Sequence, residues 1–296
     1  NAIKDAVGGA AQIAGLAILT PVALRLFNSA DTLFIISAAL FATAGVQAML
    51  IGRIPRPERM EVGGNVEQGA WWSVGWHAIR ADNRVMHAAV ELTLISATVI
   101  ILGGLIPSYI GDVLGLPVDV GALVLLPAAA GIALGLRIAG FLAQRLPHAF
   151  LSSFGFASFT VLLALMTFVD REAEFLAGFS AFSWLDSIEL GNFDGGGVLA
   201  MIIMFPLGFS YAVVSVAGQT VINDIVPLHL QGRVGATQAA MAALASSVPV
   251  LIAGALSDWV GVVPTLALLA ATIGFAAVTL SRGPTRRALE RAPAVR

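Results

Sequence analysis

Cysteine is absent from the 296 residues, and lysine occurs once, as Lys4. The first absence excludes disulfides, thiolate metal sites and a cysteine nucleophile, and leaves redox chemistry silent about the compartment. The second excludes a Walker-type phosphate lysine anywhere in the folded interior. Charge is scarce as well: Asp, Glu, Lys and Arg make up 11% of the chain, against roughly 25% in a soluble domain. The four histidines, His77, His87, His148 and His229, never stand in an H-E-x-x-H arrangement, so a zinc hydrolase has no ligands at the needed spacing. No G-x-S-x-G elbow occurs. The sequence therefore offers no motif for an enzyme, a cofactor or a metal ion, and a net charge of -2 gives no electrostatic case for a nucleic-acid partner.

What is abundant is apolar sequence, at 58% of residues and a mean hydropathy of +0.89. A helix needs about 20 mostly apolar residues to cross a hydrocarbon core of about 30 Å. Segments from Ala6 to Leu26, Thr32 to Ile51, Met86 to Ile110, Val118 to Gly140, Phe150 to Val169, Val198 to Ile222, Ala236 to Leu256 and Val260 to Leu280 qualify. The expectation is an all-α membrane protein of about eight transmembrane helices. Pro21, Pro107, Pro127, Pro206 and Pro249 are read as kinks within spans, because buried bundles tolerate proline where neighbours satisfy the freed carbonyls. The opening Asn1-Ala2-Ile3, with neither an initiator Met nor a cleavable signal, is read as a truncation.

Basic residues order these spans. Lys4, Arg53, Arg56, Arg59, Arg80, Arg84, Arg137, Arg145, Arg233, Arg282, Arg286, Arg287, Arg291 and Arg296 fall at one side, with Arg25 and Arg171 at the other. The opposite side carries Asp31, Asp112, Asp119, Asp170, Glu172, Glu174, Asp186, Glu189, Asp194 and Asp258. Since cytoplasmic loops retain Lys and Arg, both ends of the chain are expected in the cytoplasm. The organisation that follows is two helices over residues 1–52, a cytoplasmic linker with an interfacial helix over 53–85, six helices over 86–281 and a tail over 282–296. Trp71, Trp72 and Trp76 in the linker read as anchors at headgroup level rather than as an aromatic cage. Gly195-Gly196-Gly197 reads as flexible loop, and Gly131, Gly135 and Ala139, at four-residue intervals, as a helix-packing stripe.

Several stretches carry a family resemblance. Glu67-Gln68-Gly69, Trp76-His77-Ala78-Ile79-Arg80-Ala81-Asp82-Asn83-Arg84, Leu105-Ile106-Pro107-Ser108-Tyr109 and Asp112-Val113-Leu114-Gly115 resemble the central linker and seventh helix of major facilitator exporters of the macrolide and siderophore efflux group. Pro227-Leu228-His229-Leu230-Gln231-Gly232-Arg233-Val234-Gly235 resembles that group's loop between helices ten and eleven. Gly140-Phe141-Leu142-Ala143-Gln144-Arg145-Leu146-Pro147-His148 is similar to the superfamily's second-half G-x-L-A-D-R-x-G-R loop, with Gln144 in place of its acid. Asn1-Ala2 followed by Gly15 has the spacing of the fifth helix, with Leu16 where Pro usually follows. A weak internal repeat lays Val7-Gly8, Pro21 and Asp31 over Val234-Gly235, Pro249 and Asp258.

The resemblance implies a partial major facilitator fold, helices five to twelve, whose missing N-terminal helices belong to the same protein. It implies a secondary transporter in a bacterial inner membrane that exports amphiphilic small molecules by proton antiport, its partners being substrate, proton and membrane lipid. A different permease or lipid flippase, and a scaffold that transports nothing, remain alternatives. Charged residues inside spans usually face a bundle interior or an aqueous path. Glu91 and Arg137 lie at similar depth and are the candidate proton-exchanging ion pair, with interfacial snorkelling as the alternative for each. Gly140, Gln144, Arg145, Asp224, Gly232 and Arg233 are candidates for gating in the cytoplasmic loops, Asp224 and Arg233 as a hinge or locking pair or else as solvated surface. Gln12, Gln219 and Asn223 are candidates for lining a cavity, or for hydrogen bonds between helices.

Overall fold

The computed structural model describes residues 30–50, 71–116, 122–143, 145–169 and 195–282. Among them the regular elements are all helical. They are α1 (Ala30–Leu50), α2 (Trp71–Ala81), α3 (Asn83–Ser108), α4 (Leu126–Leu142), α5 (His148–Thr167), α6 (Gly195–Ile225), α7 (Leu228–Val260) and α8 (Val262–Arg282). A π-turn, Tyr109–Val113, extends α3, and a 3-10 turn, Ala122–Leu125, precedes α4. Six of these helical stretches are long and apolar enough to cross a membrane, and α1 holds a shorter apolar stretch, Ile35–Gln47. The segment Ala6 to Leu26, Pro21, Gln12 and the internal repeat's first copy lie outside the described residues, as does the stretch from Asp170 to Asp194.

Pairs of close residues fix the direction of each helix. Gly131 and Gly135 of α4 meet Phe205 and Phe209 of α6 in the same order, so these two run parallel. Gly155 of α5 meets Val214 of α6, and Gly218 of α6 meets Leu92 of α3, so α3 and α5 run against α6. Gly104 of α3 lies against Val250 of α7, and Gly274 of α8 against Thr160 of α5. The result is an up-and-down bundle of α3 to α8 with α6 packed on α3, α4 and α5. Its core joins Ile95, Leu105, Phe159, Leu163, Leu207 and Leu266. One end carries Arg80, Arg84, Arg145, Arg233 and Arg282, and the opposite end Asp112 and Asp258.

Three expectations are corrected. Pro127 is no kink; it stands in the first turn of α4, where its missing N–H costs nothing. Gly195-Gly196-Gly197 is not loop but the opening turn of α6, its second and third glycines buried. Helix α7 begins eight residues before the expected Ala236, so Gly232 and Arg233 are helical and only Val226 and Pro227 separate it from α6. The turn is this tight because Pro227 enters the helix with φ -54°. The Gln231 amide also donates to the carbonyls of Asn223 and Val226 at 3.0 and 3.1 Å, satisfying the end of α6. Helix α2 packs on the bundle's end: Gly75 brings its backbone against Arg233 and Thr237 of α7, and Ile79 is fully buried. Arg80 stacks over Trp76 at 4.7 Å, the pairing expected of an interfacial anchor.

The stripe Gly131, Gly135, Ala139 is the buried face of α4. A methyl group at Gly131 would meet the carbonyl of Phe205, which is backbone and cannot rotate away. At Gly140 nothing lies within 4 Å. Gly131→Ala should therefore cost about 1–3 kcal/mol by overpacking, whereas Gly140→Ala should be neutral or stabilise by about 0.4–1 kcal/mol. Thermal unfolding of the two variants in one detergent checks the contrast; equal midpoints would refute the backbone contact.

Candidate functional site

Helix α3 starts at Asp82, whose backbone is extended (φ -131°, ψ 127°) and whose carboxylate accepts from the Arg84 amide at 2.7 Å. The same carboxylate accepts from the Arg84 guanidinium at 3.3 and 3.1 Å. These hydrogen bonds hold the Asp82 carboxyl below its ordinary value of 3.8, against the opposing effect of its partial burial. The cap fixes where the helix begins, and so which face His87 and Glu91 present one turn apart.

Glu91 lies on the inner face, and His87 is partly buried beside it. Glu91 is 8% exposed. Its Oε1 is 3.1 Å from His87 Nε2, and its Oε2 accepts a hydrogen bond from Ser152 Oγ of α5 at 2.5 Å. Each oxygen thus has a partner, one on its own helix and one on another. Ser152 is itself buried, one turn inside His148, the first residue of α5. At the helix end, His148 Nε2 is 3.8 Å from Asp224 Oδ2 of α6. His148 Nδ1 is buried and has no hydrogen-bond partner among the described residues. The neighbouring hydroxyls are otherwise engaged: Thr93 and Thr98 donate to the carbonyls of Ala89 and Leu94 on their own helix.

The second feature is an apolar cavity of about 150 Å³ between α3, α4, α5 and α6, lined by Val99, Gly103, Ile106, Phe159, Met204 and Tyr211 among others. The Tyr109 hydroxyl at its border donates to the Met166 carbonyl at 3.0 Å. A cavity of this size with apolar walls favours an alkyl or aromatic group over a charged one. No group of three or more His, Asp and Glu placed to hold a metal ion occurs among the described residues.

The expected Glu91–Arg137 pair does not form. Arg137 is exposed and makes no ion pair among the described residues, and Glu91 is bonded to His87 and Ser152 instead. Equal depth was the wrong criterion, because Arg137 stands two residues from the buried Gly135 and Ala139. Two residues are about 200° of helical rotation, the far side of α4. The Asp224–Arg233 lock is likewise not formed: Asp224 faces His148, and Arg233 is exposed in the first turns of α7. Gly140 is inside α4, Arg145 stacks on Phe141 at 4.3 Å, and Gln144 lies outside the described residues. Gln219 and Asn223 are exposed and not among the cavity's lining residues. His87 is missed by reading spans for carboxylates and arginines, although its place four residues before Glu91 is a helical contact position. Ser152 gives no signal in sequence, since the contact joins positions 61 apart.

Comparison with protein-family models, with curated proteins and with solved structures finds no match to this chain.

Removing the cap tests the frame of the site. Asp82→Ala should destabilise by about 1 kcal/mol. Because the folded Asp82 carboxyl is held low, its contribution is present above the ordinary value of 3.8 and is lost as pH falls through the folded one. Unfolding followed from neutral pH into acid should therefore show the difference between Asp82→Asn and the parent protein shrinking below about pH 4; a constant difference would show that the Arg84 contact contributes nothing.

Proposed function

We propose that this chain is part of a secondary active transporter that exports amphiphilic small molecules by proton antiport and alternating access. The observation that carries the reading is Glu91: a carboxylate buried inside an apolar span and bonded to groups on two helices. An ionised side chain in a span costs at least about 2.5–3.5 kcal/mol on insertion scales. Such residues usually face a bundle interior or an aqueous path and are found on ion and substrate pathways. The apolar cavity along the same helices supports an amphiphilic cargo, since its walls solvate an alkyl or aromatic portion and leave a polar portion outside. The resemblance of the linker and of the Pro227 to Gly235 stretch to major facilitator exporters supports the same mechanism, in which two halves rock about a central site.

The test is flux of a fluorescent amphiphilic amine from liposomes holding the protein as its gene encodes it. Efflux should follow an inward proton gradient, collapse with a protonophore, and lose its pH dependence in Glu91→Gln. Efflux indifferent to the protonophore would remove proton antiport, and pH dependence unchanged in Glu91→Gln would remove Glu91 from it.

The basic end of the bundle is assigned to the cytoplasm on the distribution of arginine. The absence of native cysteine makes this measurable with single introduced cysteines and an impermeant thiol reagent. A cysteine at Ser281 should resist labelling in intact cells and react after permeabilisation, while one at Asp258 should react in both. The reverse pattern would invert the orientation.

A further inference from the structure

We propose that His87 and Glu91 form one proton-binding pair, loaded from the basic end of the bundle through Asp224, His148 and Ser152. The proposal takes its purpose from the transport reading above, but its measurement needs no transport.

The argument begins with the order of burial. Asp224 and His148, at the end of the bundle, have side chains 65% and 32% exposed. Ser152 and Glu91 are then 4% and 8% exposed. These groups form a row that leads inward from solvent: Asp224 to His148 at 3.8 Å, Ser152 to Glu91 at 2.5 Å, and Glu91 to His87 at 3.1 Å. His148 and Ser152 are four residues apart on α5, about 6 Å along the helix, a gap that one bridging water closes. The buried, unpartnered Nδ1 of His148 is the ring atom left to meet it.

The chemistry balances as a proton relay. A proton taken at His148 Nε2, beside the Asp224 carboxylate, makes the imidazolium, and Nδ1 gives up its proton inward. Ser152 Oγ receives a proton as its own passes to Glu91 Oε2, so the hydroxyl is regenerated and nothing is oxidised or reduced. In the loaded pair the proton sits on Glu91 beside neutral His87, and the pair is net neutral. The unloaded pair carries one uncompensated negative charge in an apolar span, which Ser152 stabilises with a short hydrogen bond of the kind an ionised acceptor forms.

Among the described side chains, the other charged and titratable groups on elements packed against α3 are His77 and Arg80 on α2, Tyr109 and Asp112 on the π-turn, Tyr211 and Asp224 on α6, and His229, Arg233 and Asp258 on α7. None is bonded to His87 or Glu91 among the described residues. The α5 row is therefore the bonded route from the bundle end to Glu91, beside the 16% of the His87 side chain that meets solvent directly.

The experiment is infrared difference spectroscopy of the full protein in lipid vesicles after a pH jump across about pH 5–8. A carboxylic-acid C=O band should appear in the parent protein and be missing in Glu91→Gln. In His87→Gln the titration midpoint of that band should move by about one unit or more. In Ser152→Ala the band should keep its amplitude but change frequency. His148→Gln and Asp224→Asn should leave the final amplitude intact and slow its appearance by at least about tenfold. Should Glu91→Gln fail to fold, the His87 and Ser152 variants still report on the band. No band, or one unmoved in both His87→Gln and Ser152→Ala, overturns the pair; unchanged kinetics in both His148→Gln and Asp224→Asn overturns the route. A protein that shows the band and moves no substrate under any gradient keeps the proton site and loses the transport reading.

Discussion

Backbone contact between α4 and α6 sets the spacing on which the rest of the bundle depends. Gly131 and Gly135 on one helix and Gly208 on the other let carbonyls approach where any side chain would collide with backbone. In a membrane this matters more than in water, because lipid tails are as apolar as leucine and provide little hydrophobic drive between helices. Close packing must supply what burial does not. With α4 drawn in, α6 has its other faces free for α3 and α5, and Gly155 and Gly218 admit Val214 and Leu92 there. The core of Ile95, Phe159, Leu163 and Leu207 closes around it.

That arrangement places α6 between α3 and α5 along much of their length, so Ser152 and Glu91 join two helices packed chiefly on a third. An unpaired acid at this position would carry its full desolvation cost. Two partners offset it, yet neither is a fixed charge: the imidazole of His87 carries charge only when protonated, and Ser152 none at all. An arginine would have made a static ion pair. A histidine leaves the net charge of the site to depend on how many protons it holds.

How much of this was legible in the sequence follows the physics of each signal. Hydropathy located the six spans of the bundle, because a run of apolar residues is a local property. Their ends were less legible. Helix α7 runs on through His229 to Gly235 because Gln231 caps the preceding helix and Pro227 opens the next, a reciprocal arrangement no polarity count contains. The glycine triplet at 195–197 read as loop, since lone propensity disfavours glycine in a helix, and burial of Gly196 and Gly197 overrides it. Glu91 was legible as a site residue from the cost of burying it. Its partner was not, because depth along a helix is a one-dimensional quantity and contact requires the angle as well. Gly131, Gly135 and Ala139 held that angle in plain view, and placed Arg137 on the opposite side.

The polar row and the apolar cavity share the same helices at different depths. Glu91 and Val99 are eight residues apart on α3, and Ser152 and Phe159 seven apart on α5, separations of about 12 and 10 Å. Two turns of helix are stiff on this scale, so a change in the distance between α3 and α5 at Glu91 is transmitted to the cavity wall with little loss. Helix α6 is the exception. Pro206 removes the backbone donor that would tie it to the preceding turn, next to the lining residues Met204 and Leu207, while the Ser210 hydroxyl donates to the Pro206 carbonyl at 2.8 Å. The wall that α6 provides can therefore bend where it meets the cavity. The walls from α3 and α5 are continuous helix from the Glu91 contact to the cavity, so the proposed proton pair and the cavity share two stiff elements.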